Sequence, residues 1–130
     1  MNPPDLKRIL MIEDDPDIQT VAQFALEVVG GYSVRVCGDG RSALEQFSAF
    51  SPDLVLLDVM MPEMDGPAVL EALRANSLMA ETPVVFMTAK IQPQEIAHYK
   101  DLGAIDVIAK PFDPMTLSES VNKIWEQAHA

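Results

Sequence analysis

Glu13, Asp14, Asp58, Thr88 and Lys110 are far apart in the chain, yet each lies at, or within two residues of, the C-terminal end of a short apolar run. The runs are Ile9–Ile12, Leu54–Leu57, Val84–Met87 and Val107–Ala109. If these runs are strands of one open parallel sheet, their C-terminal ends share the edge where ligands bind. An acidic pair, a lone aspartate, a hydroxyl and an ammonium gathered there would make a site for Mg2+ and a phosphoryl group. Three carboxylates in one pocket repel one another unless a cation relieves them. Mg2+ prefers oxygen ligands in octahedral geometry and retains waters, so one or two carboxylates and a phosphate oxygen suit it.

The elements that must position these groups are legible from periodicity. Residues 1–6 are expected to be a loose Pro-containing lead, and the first strand is expected near Arg8–Ile12. Asp15 then caps a helix that begins at Pro16, where a missing N–H does no harm. Its apolar face is expected to be Ile18, Val21, Ala22, Ala25 and Val29, with Gly30-Gly31 as its end. Val34–Val36 follows as a short strand, then a helix through Ala43, Leu44 and Phe47. Leu54–Leu57 is apolar without alternation, the pattern of a strand covered on both faces. A helix through Val69, Leu70 and Leu73, the strand Val84–Met87 and a weaker helix over Gln94–Leu102 come next. The fifth strand lies near Val107–Ala109. Asp113-Pro114 repeats the cap-plus-proline signal and opens a last helix with Leu117, Val121, Ile124 and Ala128 inward. Strict βα alternation implies a five-stranded parallel sheet with helices on both faces, and right-handed crossovers favour the order 2-1-3-4-5. The chain reverses direction between strands 1 and 3, where Glu13, Asp14 and Asp58 emerge.

Bulk properties narrow the class. A chain of 130 residues, 48% hydrophobic and 22% charged, reads as one ordinary globular domain, assigned to residues 7–128. A formal net charge of −11, with only 9 basic residues and no basic cluster, argues against a nucleic-acid partner. The single Cys37 has no disulfide partner and fits a buried structural thiol in a reducing, cytoplasmic setting. The start of the chain is not expected to act as a signal peptide, and no apolar run approaches the length of a membrane span.

Taken with their spacing, the motifs are recognisable. Ile9-Leu10-Met11-Ile12-Glu13-Asp14-Asp15, Asp58 through Gly66, Thr88-Ala89 and Lys110-Pro111-Phe112 resemble a response-regulator receiver domain of two-component signalling, similar to the chemotaxis regulators. The resemblance runs from about Arg8 to Glu126, with intervals of 44, 30 and 22 residues from Asp14 to Asp58, Thr88 and Lys110 in turn. It implies a flavodoxin-like receiver fold and a phosphorelay module that is a switch, not a metabolic enzyme. Asp58 would be the nucleophile that becomes an acyl phosphate. Asp14 and Asp58 would ligate Mg2+ directly, Glu13 through water, and the Met60 carbonyl would add an oxygen. Thr88, Lys110 and the N–H groups of Met60 and Ala89 would hold the phosphoryl group, and the Lys110-Pro111 peptide is expected to be cis. The implied donor is the phosphohistidine of a sensor histidine kinase or a histidine phosphotransfer protein. The downstream partner is a protein, with a monomer or phosphorylation-dependent dimer as the working form.

Two departures from the family pattern stand out. The position three residues before Lys110, where the family carries a switch aromatic, is Val107, so no ring is expected behind Thr88; Ile105 is apolar where a polar residue is usual. Ile105 and Val107, with the neighbouring helix, are therefore candidates for an apolar partner surface that also includes Thr88, Lys90 and a half-exposed Trp125. Met60 and Lys90 stand two residues beyond Asp58 and Thr88, where the resemblance implies control of hydrolytic water. The rival class is a small Mg2+-dependent aspartyl-phosphate phosphatase, which needs a second acid where Met60 stands. A third is a binding module with a vestigial site. No output domain is expected after the last helix of this chain, which reads either as a stand-alone regulator or as a receiver cut from a larger protein.

Overall fold

A computed structural model describes residues 5–129 of the chain. The expected lead therefore falls largely outside the described residues. Leu6 does not belong to it: this side chain is buried in the core.

The elements alternate as β1 (Arg8–Ile12), α1 (Pro16–Phe24, continued by a π-helical turn over Ala25–Val29), β2 (Ser33–Cys37), α2 (Gly40–Phe50), β3 (Leu54–Asp58), α3 (Gly66–Ala75), β4 (Val84–Thr88), α4 (Pro93–Leu102), β5 (Asp106–Ala109) and α5 (Leu117–Ala128). The strands form one sheet in the order β2-β1-β3-β4-β5, and every neighbouring pair is parallel. This is the expected doubly wound arrangement. β3 and β4 are buried along their whole length, which is why neither alternates in sequence.

Side-chain alternation divides the core into two layers. Leu10, Ile12, Val55, Leu57 and Phe86 pack with α2, α3 and Tyr99 of α4, while Ile9, Met11, Leu56, Val85 and Met87 pack with α1 and α5. Full burial of such side chains stabilises by about 1.5–3 kcal/mol each before conformational entropy is charged against it.

Asp15 caps α1 as expected, its carboxylate accepting the N–H groups of Asp17 and Ile18 at 2.8 and 3.3 Å. The inward stripe differs from expectation. Ala22, Ala25 and Leu26 are buried, whereas Val21 and Val29 are exposed. In the π turn the Gly30 N–H donates to the Ala25 carbonyl, and the wider turn carries Val29 off the inward stripe, while Leu26, four residues after Ala22, stays on it. The last helix also starts later than expected. The Asp113 carboxylate accepts the Met115 N–H and its carbonyl accepts those of Thr116 and Leu117, so Asp113 closes a turn ahead of the helix. Leu117, Val121 and Trp125 then face inward at steps of four with Ser118, and Ala128 is exposed. No helix among the described residues is long and apolar enough to cross a membrane.

Candidate functional site

Parallel pairing puts the ends of β1, β3, β4 and β5 along one edge of the sheet. Ladder hydrogen bonds run on past the strands and fix the groups that follow. The Glu13 N–H donates to the Cys37 carbonyl, the Val59 N–H to Met87 and the Lys110 N–H to Thr88, at 2.9–3.1 Å. The Gln19 side chain also donates to the Glu13 carbonyl, tying α1 to the end of β1. Gly66 lets the loop after β3 fold back on Asp58. A Cβ there would lie 2.7 Å from the Asp58 carbonyl oxygen and 2.9 Å from the Val59 Cα, both backbone atoms. The Gly66 N–H closes that loop on the Val59 carbonyl at 2.9 Å. The Lys110-Pro111 peptide is cis, as expected.

The expected groups meet. Glu13, Asp58 and Thr88 are buried, with Glu13 only 1% exposed, while Asp14 is at the surface. Lys110 Nζ donates to Glu13 Oε1 at 2.7 Å and to Asp58 Oδ1 at 3.1 Å. The ammonium thus bridges two carboxylates and lies closer to Glu13 than to Asp58. Burial, reinforced by the neighbouring Asp58, raises the Glu13 carboxyl from 4.5 to about 7 against the opposing pull of Lys110. Burial alone would lower the Lys110 ammonium, but its hydrogen bonds to Glu13 and Asp58 outweigh that and hold its pKa above the ordinary value.

One carboxylate oxygen from each of Glu13, Asp14 and Asp58 lies within 4.8 Å of the others. When all three are ionised, one ammonium leaves two negative charges uncompensated, and every donor is a hard oxygen. That set fits Mg2+. Thr88, Ala89, Lys90 and Met60 line the same cleft, which measures about 340 Å3. The Thr88 hydroxyl accepts the Lys90 N–H at 3.1 Å, so its own proton is available to an acceptor. Met60 is 70% exposed over the mouth. Beside the cleft, Ile18, Val21, Pro111 and Phe112 wall an apolar groove of about 420 Å3 that reaches Ala89 and Lys110.

The expected partner surface is not assembled as anticipated. Trp125 is buried at 6% exposure, because it continues the inward steps of α5. Ile105 and Val107 are half-buried and pack against opposite core layers, so they do not present one shared face. Val107 carries no ring, but a ring from another element borders a cleft that Thr88 also lines. Tyr99 of α4 lines a cleft of about 500 Å3 together with Met60, Thr88 and Lys90. Its spacing of three from Ile96 was the available signal, masked by the weak apolar pattern of that helix.

Residues 9–122 match the family model described as response regulator receiver domain. Among curated proteins, the chain is 38% identical over 122 residues to the alkaline phosphatase synthesis transcriptional regulatory protein PhoP of Bacillus subtilis, covering 94% of this chain and 50% of that protein. It is 39% identical over 111 residues to the DNA-binding response regulator MtrA of Mycolicibacterium smegmatis, covering 85% and 47%. The chain thus spans about half the length of the curated relatives it matches. Among solved structures it resembles the chemotaxis response regulator CheY4 of Vibrio cholerae, with a TM-score of 0.84 at 29% identity over 92% of this chain and 99% of that one.

Proposed function

The chain belongs to the response-regulator receiver family of two-component signal transduction, and on that premise we propose that it accepts a phosphoryl group on Asp58. The observation that carries this reading is the buried Glu13–Lys110–Asp58 bridge opening on a cleft with Thr88 at its far side. An Asp58 carboxylate oxygen attacks phosphorus of a phosphohistidine. The P–O bond forms as the P–N bond breaks, and the imidazole leaves with a proton. Lys110 lowers the repulsion between the approaching anions, then pairs with the phosphoryl oxygens. Thr88 donates its hydroxyl proton to one of those oxygens, and the Met60 and Ala89 N–H groups donate to others. Asp14, Asp58 and the Met60 carbonyl would hold Mg2+, with Glu13 acting through water, and the bound cation would supply charge neutralisation for the transferring group. Water later attacks phosphorus, which releases inorganic phosphate and restores the carboxylate.

The donor is a sensor histidine kinase or a histidine phosphotransfer protein, and its segment beside the phosphohistidine rests on the apolar groove of Ile18, Val21 and Phe112. The formal charge of −11 leaves no Lys/Arg cluster for a nucleic-acid backbone, so we assign the output of this span to a protein surface, in the cytoplasm. The receiver unit is residues 7–128 with Leu6 packed into its core, active as a monomer or a phosphorylation-dependent dimer. Slow acquisition and loss of phosphate are its only chemistry.

Incubation with a small phosphodonor and Mg2+, followed by intact mass, tests the reading. The parent should gain one phosphoryl group and Asp58→Asn none; equal labelling of both would refute it. Met60→Asn should shorten the lifetime of the adduct, because water then reaches phosphorus past a smaller side chain. Unchanged decay would remove Met60 from that role.

A further inference from the structure

α4 is held to the body by very little. Tyr99 is its one buried residue among those described. The ring packs edge-on against Phe86 at 5.2 Å between centroids, and Phe86 stands two residues before Thr88 on the same face of β4. Val107 pairs with Phe86 across the β4–β5 ladder and packs into the same layer. Its short side chain leaves that layer to be filled from α4, and the Tyr99 ring does so. The Tyr99 hydroxyl has no hydrogen-bond partner among the described residues, and the ring borders the cleft that Thr88 and Lys90 also line.

The two ends of α4 are unlike. At its C-terminal end the Arg74 guanidinium donates to the carbonyls of Gly103 and Thr82, at 3.2 and 2.9 Å, and Ala104 is buried. At its N-terminal end no side chain caps the helix, and Glu95 Oε2 is buried without a partner. An element anchored at its C-terminal end, held by the Tyr99 ring one turn before that end and uncapped at its N-terminus, can tilt about that ring.

We propose that Tyr99 is the positioning residue through which phosphorylation of Asp58 moves α4. This rests on the proposed function of Asp58. A phosphoryl oxygen accepts the Thr88 hydroxyl proton, which the hydrogen bond from the Lys90 N–H leaves available. As the Thr88 hydroxyl turns toward Asp58, the space between Thr88 and Tyr99 changes shape, the ring follows, and the N-terminal half of α4 moves with it. Packing of the ring carries the coupling, so Phe serves at this position and Ala does not.

The test uses the parent, Tyr99→Phe and Tyr99→Ala, each with Mg2+ and with or without beryllofluoride as a phosphoryl mimic. Amide hydrogen exchange is read across residues 89–99, and intact mass after phosphodonor treatment is read in parallel. In the parent and Tyr99→Phe, exchange over this segment should change about fivefold or more on adding the mimic. In Tyr99→Ala the phosphoryl mass gain should persist while the response of α4 is lost. A purely structural role would raise exchange equally with and without the mimic, and that result overturns the proposal. So does an unresponsive α4 in a parent that gains the phosphoryl mass. A parent that never gains the mass overturns the functional reading and the inference with it.

Discussion

α3 and α4 are each ten residues long and pack on the same layer of the core, yet they are seated very differently. α3 buries Gly66, Val69, Leu70 and Leu73, is capped by the Asp65 carboxylate on the Ala68 N–H, and begins at a glycine pressed against the end of β3. α4 buries Tyr99 and lacks a side-chain cap. The first helix holds Asp58 in register, and the second borders Thr88 and Lys90. A switch needs both kinds of element: one side of the cleft fixed so that the chemistry is prearranged, and the other weakly held so that a local charge can shift it.

The contrast can be broken or sharpened by substitution. Leu73→Ala in α3 should cost about 2–5 kcal/mol, since a fully buried Leu is replaced and a cavity left. Ile96→Ala in α4, where the side chain is half-buried, should cost about 1 kcal/mol or less. Equal costs in chemical denaturation would mean that α4 is as firmly seated as α3. Next in size is Arg74→Ala, expected to cost about 1.5–3 kcal/mol through two charge-assisted hydrogen bonds, and to speed amide exchange at the C-terminal end of α4. If exchange there is unchanged, Arg74 does not anchor that end.

A smaller effect follows from Glu13 on the fixed side. Its carboxyl is raised from 4.5 to about 7, so between those values the folded protein keeps a proton that the unfolded chain has lost. Its contribution is therefore complete below about pH 4.5 and is lost as pH rises through about 7. The loss should be on the order of 1–2 kcal/mol once solvent screening is allowed for, and Glu13→Gln should flatten it in pH-dependent denaturation. Mg2+ competes with that proton, so the gain in Tm on adding Mg2+ should be larger at about pH 8 than at about pH 5. The opposite order would exclude Glu13 from the cation site.

The fixed side was the legible side. Alternating strands and helices dictate a parallel sheet, the sheet dictates which edge is shared, and that edge brings Glu13, Asp14, Asp58, Thr88 and Lys110 together without knowledge of a single contact. What the sequence concealed depends on packing across elements. The π turn after Phe24 carries Val29 off the inward stripe, a change that a fixed helical period does not register. Trp125 lies one step outside the stripe expected from Leu117, Val121, Ile124 and Ala128, yet it is buried because the inward line follows steps of four. Tyr99 went unseen because the space it fills is defined by a small residue on another strand, Val107. The closer hold of Lys110 on Glu13 than on Asp58 is likewise a matter of tenths of an ångström, set by the end of β1 and the loop after β5.

The most direct measurement is to locate the phosphoryl group itself. The parent is treated with a small phosphodonor in the presence and absence of Mg2+, and the adduct is trapped by hydride reduction and mapped at the peptide level. The expected result is modification at Asp58, dependent on Mg2+ and abolished by Lys110→Met. Modification at Asp14 or Glu13 instead, or labelling at Asp58 indifferent to both Mg2+ and Lys110, would contradict the site described.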